Sequence, residues 1–138
     1  MTTALLDTSF LLAAAFERDQ NHTVAVSALR NLTSGRLVAS PVVIELFFMV
    51  SARISYQRAI ELFALIQTTA FQIVDLSEAD RQRMHEIMQQ YQDAELDIAD
   101  VAQLALAARL GITRIYTFDR RDFSLFRPTH CDYLELLP

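Results

Sequence analysis

The segment that decides the fold runs Asp97-Ile98-Ala99-Asp100-Val101-Ala102-Gln103-Leu104-Ala105-Leu106-Ala107-Ala108-Arg109-Leu110-Gly111 and continues through Ile115-Tyr116-Thr117 to Asp119. Val101, Leu104, Ala105 and Ala108 share one face at helical spacing, and Ala and Leu fill much of the remainder. A helix over Ile98–Leu110, buried against a sheet and ended by Gly111, is therefore expected. Ile115 to Thr117 then reads as a short strand, with Asp119 just past its end. A buried helix that leads into a short apolar strand is a building unit of a parallel α/β sheet.

Toward the N-terminus the same alternation recurs. Thr3 to Leu6 reads as a short strand ending at Asp7, followed by the apolar segment Phe10 to Phe16, suited to a buried turn of helix. Val24, Ala28, Leu29 and Leu32 recur at helical spacing before Gly35, and Leu37 to Ala39 reads as a second strand. Ser40 and Pro41 then have the character of an N-cap and a first helical position, since a serine oxygen accepts an orphan backbone N–H and proline has none to satisfy. Glu45 follows one turn into that helix, among Val42, Leu46, Phe48 and Met49. An amphipathic helix is expected over Tyr56 to Gln67, and a strand or edge at Phe71 to Val74. Ser77 with Asp80 opens a helix marked by Met84, Ile87, Met88 and Tyr91. Tyr133 to Leu136 offers a last strand. With no repeat, low-complexity tract or linker, one domain over residues 1–138 is expected, a three-layer α/β/α arrangement with a mainly parallel central sheet.

Composition narrows the chemistry. The 138 residues carry 17 acids against 12 bases, a formal net charge of −5, and all 12 bases are arginine. Without lysine, Schiff-base chemistry, a Ser and Lys dyad and a P-loop are excluded. The negative balance also excludes nucleic-acid binding by a broad basic surface, though not an enzyme that meets phosphates through metal ions. Cys131 is the only cysteine, so neither an internal disulfide nor a cysteine-rich metal site is available. Asp7 and Glu45 interrupt the longest apolar stretches and no base precedes Arg18, so no membrane span or secretory signal is expected and the cytoplasm is the expected location.

The acids collect where this architecture places its ligands, beyond the carboxyl ends of parallel strands. Asp7 follows the first strand, Glu45 lies in the helix after the second, Asp100 opens the buried helix and Asp119 follows the strand Ile115 to Thr117. Asp93, Glu95, Asp97 and Asp100 form the densest acidic run. Asp97 also suits an N-cap, and Asp100 the first turn of a helix, where either would favour the helix dipole. Carboxylates brought together disfavour one another's charge, and a bound divalent cation removes that conflict. Mg²⁺ prefers oxygen ligands, keeps several waters and is suited to phosphodiester hydrolysis.

These motifs resemble those of the PIN domain family, in particular its toxin ribonucleases of type II VapBC toxin–antitoxin pairs. Leu5-Leu6-Asp7-Thr8-Ser9 is similar to the first family motif and Ser40-Pro41-Val42-Val43-Ile44-Glu45 to the second. Leu96-Asp97-Ile98-Ala99-Asp100-Val101-Ala102 resembles the third, with Val101 where alanine is common. Thr117-Phe118-Asp119-Arg120-Arg121-Asp122-Phe123 resembles the last. The resemblance implies an endoribonuclease with a catalytic quartet of Asp7, Glu45, Asp100 and Asp119. It further implies Mg²⁺ or Mn²⁺ held by these residues, with Asp97 and Asp122 as outer candidates and Thr8 or Ser9 fixing the first carboxylate. An RNA substrate, a VapB-like antitoxin and a homodimer are the implied partners.

Two other readings belong to the same pattern: a PIN nuclease of RNA processing without a toxin role, and a nucleic-acid-binding module without catalysis. A receiver domain would need a lysine near its acids, and a haloacid-dehalogenase-like phosphatase an acid where Ser9 stands. His22, His85 and His130 show no ligand-like spacing. Among Arg36, Arg53, Arg114, Arg120 and Arg121, one to three are expected at the cleft rim to meet RNA phosphates.

Overall fold

In the computed structural model, which describes residues 3–138, five short strands form one all-parallel sheet. They are β1 (Ala4–Leu6), β2 (Arg36–Ala39), β3 (Gln72–Val74), β4 (Arg114–Tyr116) and β5 (Glu135–Leu137), in spatial order β3-β2-β1-β4-β5. Leu5 lies opposite Leu37 on one side and Ile115 on the other. All three residues of β1 are buried, as an apolar run without alternation requires in a central strand covered on both faces.

Seven helices connect the strands: α1 (Thr8–Ala15), α2 (His22–Asn31), α3 (Ser40–Arg53), α4 (Tyr56–Ile66), α5 (Glu78–Gln90), α6 (Ile98–Leu110) and α7 (Arg121–Leu125), with a 3-10 turn at Gln92–Ala94. The chain moves outward from β1 to β3, then crosses back to β4. Because parallel crossovers are right-handed, α1–α4 cover one face and α5 and α6 the other. The contacts of α1 with α2 and α3, of α3 with α4, and of α5 with α6 follow this division. Strand order reverses between β1 and β4, and their carboxyl ends open the crevice that positions a ligand site in such sheets.

Helix α6 is the buried helix expected from its sequence. Every residue from Ala99 to Ala107 is buried, the alanines allowing close approach while Leu104 and Leu106 fill the core. Asp97 caps it, its Oδ1 accepting the Ala99 N–H at 2.9 Å, and Gly111 ends it at φ 67°, a conformation open to glycine without a Cβ clash. Ser77 and Asp80 form a capping box at α5. Buried Asp80 also accepts two bonds from Arg109 Nε at 2.9 Å, tying α5 to α6.

Several expectations shift. Ser40 is not the N-cap of α3: β2 runs into the helix without a loop, extended Ala39 makes the turn, and the Ser40 side chain forms no capping bond. Pro41 does occupy the first turn. The last strand lies at Glu135–Leu137 rather than from Tyr133, because pairing with β4 sets Glu135 against Arg114 and Leu137 against Tyr116. The short helix α7, which buries Asp122 and Phe123, carries too brief a pattern to be read from sequence. Among the described residues, no helix is long and apolar enough to cross a membrane.

Candidate active site

Asp7 follows β1 and holds the N-cap position of α1, yet its side chain makes no capping bond. It turns into the protein instead and is 4% exposed. Oδ1 accepts from Gln103 Nε2 at 2.8 Å, while Oδ2 accepts from Thr117 Oγ1 at 2.7 Å and Ser9 Oγ at 3.0 Å. Each hydroxyl has one hydrogen and gives it to Asp7, so their oxygens remain free to accept. Ser9 Oγ receives the Phe118 N–H and Thr117 Oγ1 the Asp119 N–H, both at 3.0 Å. One carboxylate thereby ties α1, α6 and the segment after β4 together, and three donors fix its orientation.

Glu45 projects from α3. Burial raises its carboxyl above the ordinary value, the neighbouring Thr8 hydroxyl opposes this, and the charges of Asp97, Asp7 and Asp119 add to the rise. Thr8 Oγ1 is buried beside it with no hydrogen-bond partner among the described residues. Asp100, 7% exposed at the start of α6, is pushed up to about 9, first by burial and then by the Asp7 charge, a hydrogen bond shared with Asp122 and the charge of Asp97. Asp97 and Asp119 are exposed.

Asp122 is buried and both its oxygens are engaged. Oδ2 accepts the Asp97 N–H at 2.8 Å and Oδ1 accepts Arg121 Nη1 at 2.7 Å, while Arg121 Nη2 donates to the Ala94 carbonyl at 2.7 Å. The six acids read from sequence therefore form two overlapping groups. The charges of Asp97, Asp7 and Asp119 act on Glu45, and those of Asp7, Asp97 and Asp122 on Asp100. Among the described residues, Asp7, Glu45, Asp97, Asp100 and Asp119 make no ion pair.

The donor set is entirely oxygen, includes the orphaned Thr8 hydroxyl, and carries excess negative charge. Among the described residues, no three Asp, Glu, His or Cys side chains stand close enough together to hold a metal ion between them. That openness suits Mg²⁺, which dehydrates reluctantly and uses one or two carboxylates together with waters and phosphate oxygens. The residues fit such an ion.

The arginines depart further from expectation. Arg36 and Arg114 open β2 and β4, at the strand ends opposite the cleft, so they do not line its rim. The Arg36 guanidinium bonds the carbonyls of Leu32 and Leu29 and lies over the Phe71 ring, and Arg114 pairs with Glu135. Arg120 donates to the Pro138 carbonyl at 2.8 Å. Gln103 was not anticipated; its signal was that of one amide within an otherwise apolar run, three residues after Asp100.

A family model described as PIN domain matches residues 4–127. Ribonuclease VapC26 of Mycobacterium tuberculosis is 34% identical over 125 residues, 90% of this chain and 92% of that protein. Among solved structures, Mycobacterium tuberculosis VapC20, a Sarcin-Ricin loop cleaving toxin, superposes with a TM-score of 0.83 at 18% identity, covering 89% of this chain and 95% of that one. Rickettsia felis VapBC2 bound to a promoter DNA fragment gives 0.71 at 18% identity, over 99% and 100%. The two structural likenesses concern the fold, whereas the family model and the ribonuclease relative span nearly the whole sequence, and on these the chain belongs to the PIN domain family.

Proposed function

We propose that the chain is the toxin ribonuclease of a VapBC-type toxin–antitoxin pair, hydrolysing RNA phosphodiester bonds in a reaction that requires Mg²⁺ or Mn²⁺. One observation carries the chemistry: Glu45 from α3 and Asp100 from α6 both feel the charge of Asp7, a carboxylate held by three donors, and none of the three makes an ion pair among the described residues. The 34% identity to a ribonuclease supports RNA as the substrate class, and the VapBC complexes among its structural neighbours support a VapB-like antitoxin. A homodimer in the cytoplasm completes the reading, with exposed Ile44 and Phe48 of α3 as apolar surface on either side of Glu45.

Of Asp7, Glu45, Asp100 and Asp119, one or two would bind the ion directly and the others through its waters. Bound there, a divalent cation supplies neutralising charge, a place for a phosphate oxygen and a water of lowered pKa. The chain's own residues divide the remaining work. Ser9 and Thr117 keep Asp7 in one orientation, and Thr8 meets Glu45. Asp100 has to give up its proton to serve as a ligand. Asp97 caps α6 through Oδ1, leaving Oδ2 for the cleft rim. Asp122, with both oxygens bonded, suits a role in fixing the start of α6 better than one in direct coordination.

The test is incubation of purified protein with total cellular RNA in Mg²⁺, in Mn²⁺ and in chelator, followed by mapping of new ends. Discrete internal cuts that need metal and vanish in Asp7→Asn are expected. Cuts that persist in chelator or in that variant would overturn the mechanism, and a folded protein that cuts nothing with either ion would favour the noncatalytic module.

A further inference from the structure

Gln103 is the one polar side chain in the middle of the buried helix, 0% exposed among alanines and leucines. Its Nε2 donates to Asp7 Oδ1 at 2.8 Å, across 96 positions of sequence, with a longer approach of 3.4 Å to the Ala99 carbonyl one turn back. Its Oε1 is buried without a protein partner among the described residues. A glutamine kept only for packing gains nothing from this arrangement, since leucine or methionine would fill similar volume without burying an unmatched amide oxygen. The orientation of the amide is set by Asp7: turned over, it would place Oε1 against the carboxylate oxygen. The side chain thus satisfies Asp7 before itself.

We propose that Gln103 is a positioning residue that fixes the face Asp7 presents to the metal ion, completing from α6 what Ser9 of α1 and Thr117 after β4 do at the other oxygen. The assignment rests on the reading of the cleft as a metal-dependent ribonuclease site. Ser9 and Thr117 both bond Oδ2, so they leave the carboxylate free to pivot about that oxygen. Gln103 alone holds Oδ1. Without it, Asp7 Oδ1 loses its only side-chain donor and the carboxylate swings between orientations. Partners of this kind typically change metal affinity or activity about 10–100-fold when removed.

The decisive variant is Gln103→Met, which conserves volume and flexibility and removes the amide, whose only short bond is the one to Asp7. Mn²⁺ binding to the RNA-free protein is measured by calorimetry alongside kcat and KM for RNA cleavage and the thermal midpoint in chelator. Gln103→Leu serves as the second variant in case methionine disturbs folding, and Asp7→Asn as the reference. The expected result is Mn²⁺ affinity weakened about 10–100-fold, kcat reduced with KM for RNA unchanged, and a midpoint in chelator lowered by no more than a few degrees, since Asp7 Oδ1 loses a donor while the unmatched Oε1 is removed with it. Unchanged Mn²⁺ affinity and kcat in a folded Gln103 variant, where Asp7→Asn abolishes both, would overturn the role of Gln103 and leave the ribonuclease reading intact. Loss of the midpoint in both Gln103 variants in proportion to lost activity would make the residue structural and overturn it as well. An unaltered protein that binds no Mn²⁺ would overturn the metal site and this proposal together.

Discussion

Replacement of Asp100 by Asn should abolish cleavage and, at the same time, stabilise the metal-free protein at neutral pH. Asp100 is 7% exposed and its carboxyl is raised from 3.8 to about 9, by burial first and then by Asp7, Asp122 and Asp97. The folded state therefore keeps a proton that the unfolded state releases. A group raised in this way contributes its full stability below 3.8 and loses it as pH climbs toward 9. By pH 7 the loss spans about three pH units at 1.36 kcal/mol each, an upper bound of roughly 4 kcal/mol. The site relaxes when charged, so about 2 kcal/mol is the working expectation. The asparagine side chain is neutral at every pH and escapes the penalty.

Urea unfolding in chelator at pH 5, 7 and 9 reads this directly. The stability advantage of Asp100→Asn should be small at pH 5, grow through pH 7 and be largest near pH 9. Saturating Mg²⁺ should narrow or reverse the order, since a cation bound only by the native protein adds about 2.7 kcal/mol at one hundred times its Kd. An Asp100→Asn protein no more stable than the unaltered one at pH 7 and 9 in chelator would refute the reasoning, for it would mean that Asp100 is ionised at little cost and already compensated.

Two other outcomes are expected. Thr117→Val keeps shape but removes the 2.7 Å bond to Asp7 and leaves the Asp119 N–H without its acceptor; it should cost about 2 kcal/mol, lowering Tm by roughly 6 °C by calorimetry, and reduce kcat at least tenfold. Burial alone would raise the Asp80 carboxyl, but the bonds from Arg109 and Ser77 bring it below its ordinary 3.8, so its stabilisation is present above that pH and lost as pH falls through the lower folded value. Asp80→Asn should therefore lower Tm by several degrees at pH 7 and flatten the acid limb of the Tm profile, with cleavage by the remaining folded protein intact.

The parts legible from sequence were those where one physical demand dominates. The apolar run Leu104 to Ala107 can only be a covered element, and Gly111 and the Ser77 capping box mark ends through backbone chemistry that acts within a few residues. Asp7, Glu45, Asp100 and Asp119 could be singled out as candidates because a parallel α/β sheet sends its strand ends to one edge whatever the intervening sequence. Side-chain direction was not. Asp7 stands at a helix N-cap, where local rules would turn its carboxylate toward the backbone, yet donors from residues 103 and 117 draw it inward. Ser40 failed as a cap because the turn from β2 to α3 is made one residue earlier, a decision of sheet register. Arg36 and Arg114 looked available for RNA because sequence shows their charge and not which end of a strand they occupy.

The arrangement of charge explains why a chain at −5 without lysine can still be suited to RNA. Several of its arginines are turned to structural use: Arg109 joins α5 to α6, Arg121 binds Asp122 and the Ala94 carbonyl, and Arg36 and Arg114 sit at the amino ends of their strands, opposite the cleft. The cleft itself is negative and would repel phosphate. Burial first, and then the charges of neighbouring acids, raise the carboxyls of Glu45 and Asp100, and the donors around Asp7 hold that charge in place rather than relieve it. On the proposed metal-dependent reading, a divalent cation would meet phosphate at the point where chemistry is needed. Binding and catalysis are then joined in one event, unlike a basic nucleic-acid-binding surface, where affinity precedes chemistry and falls with salt.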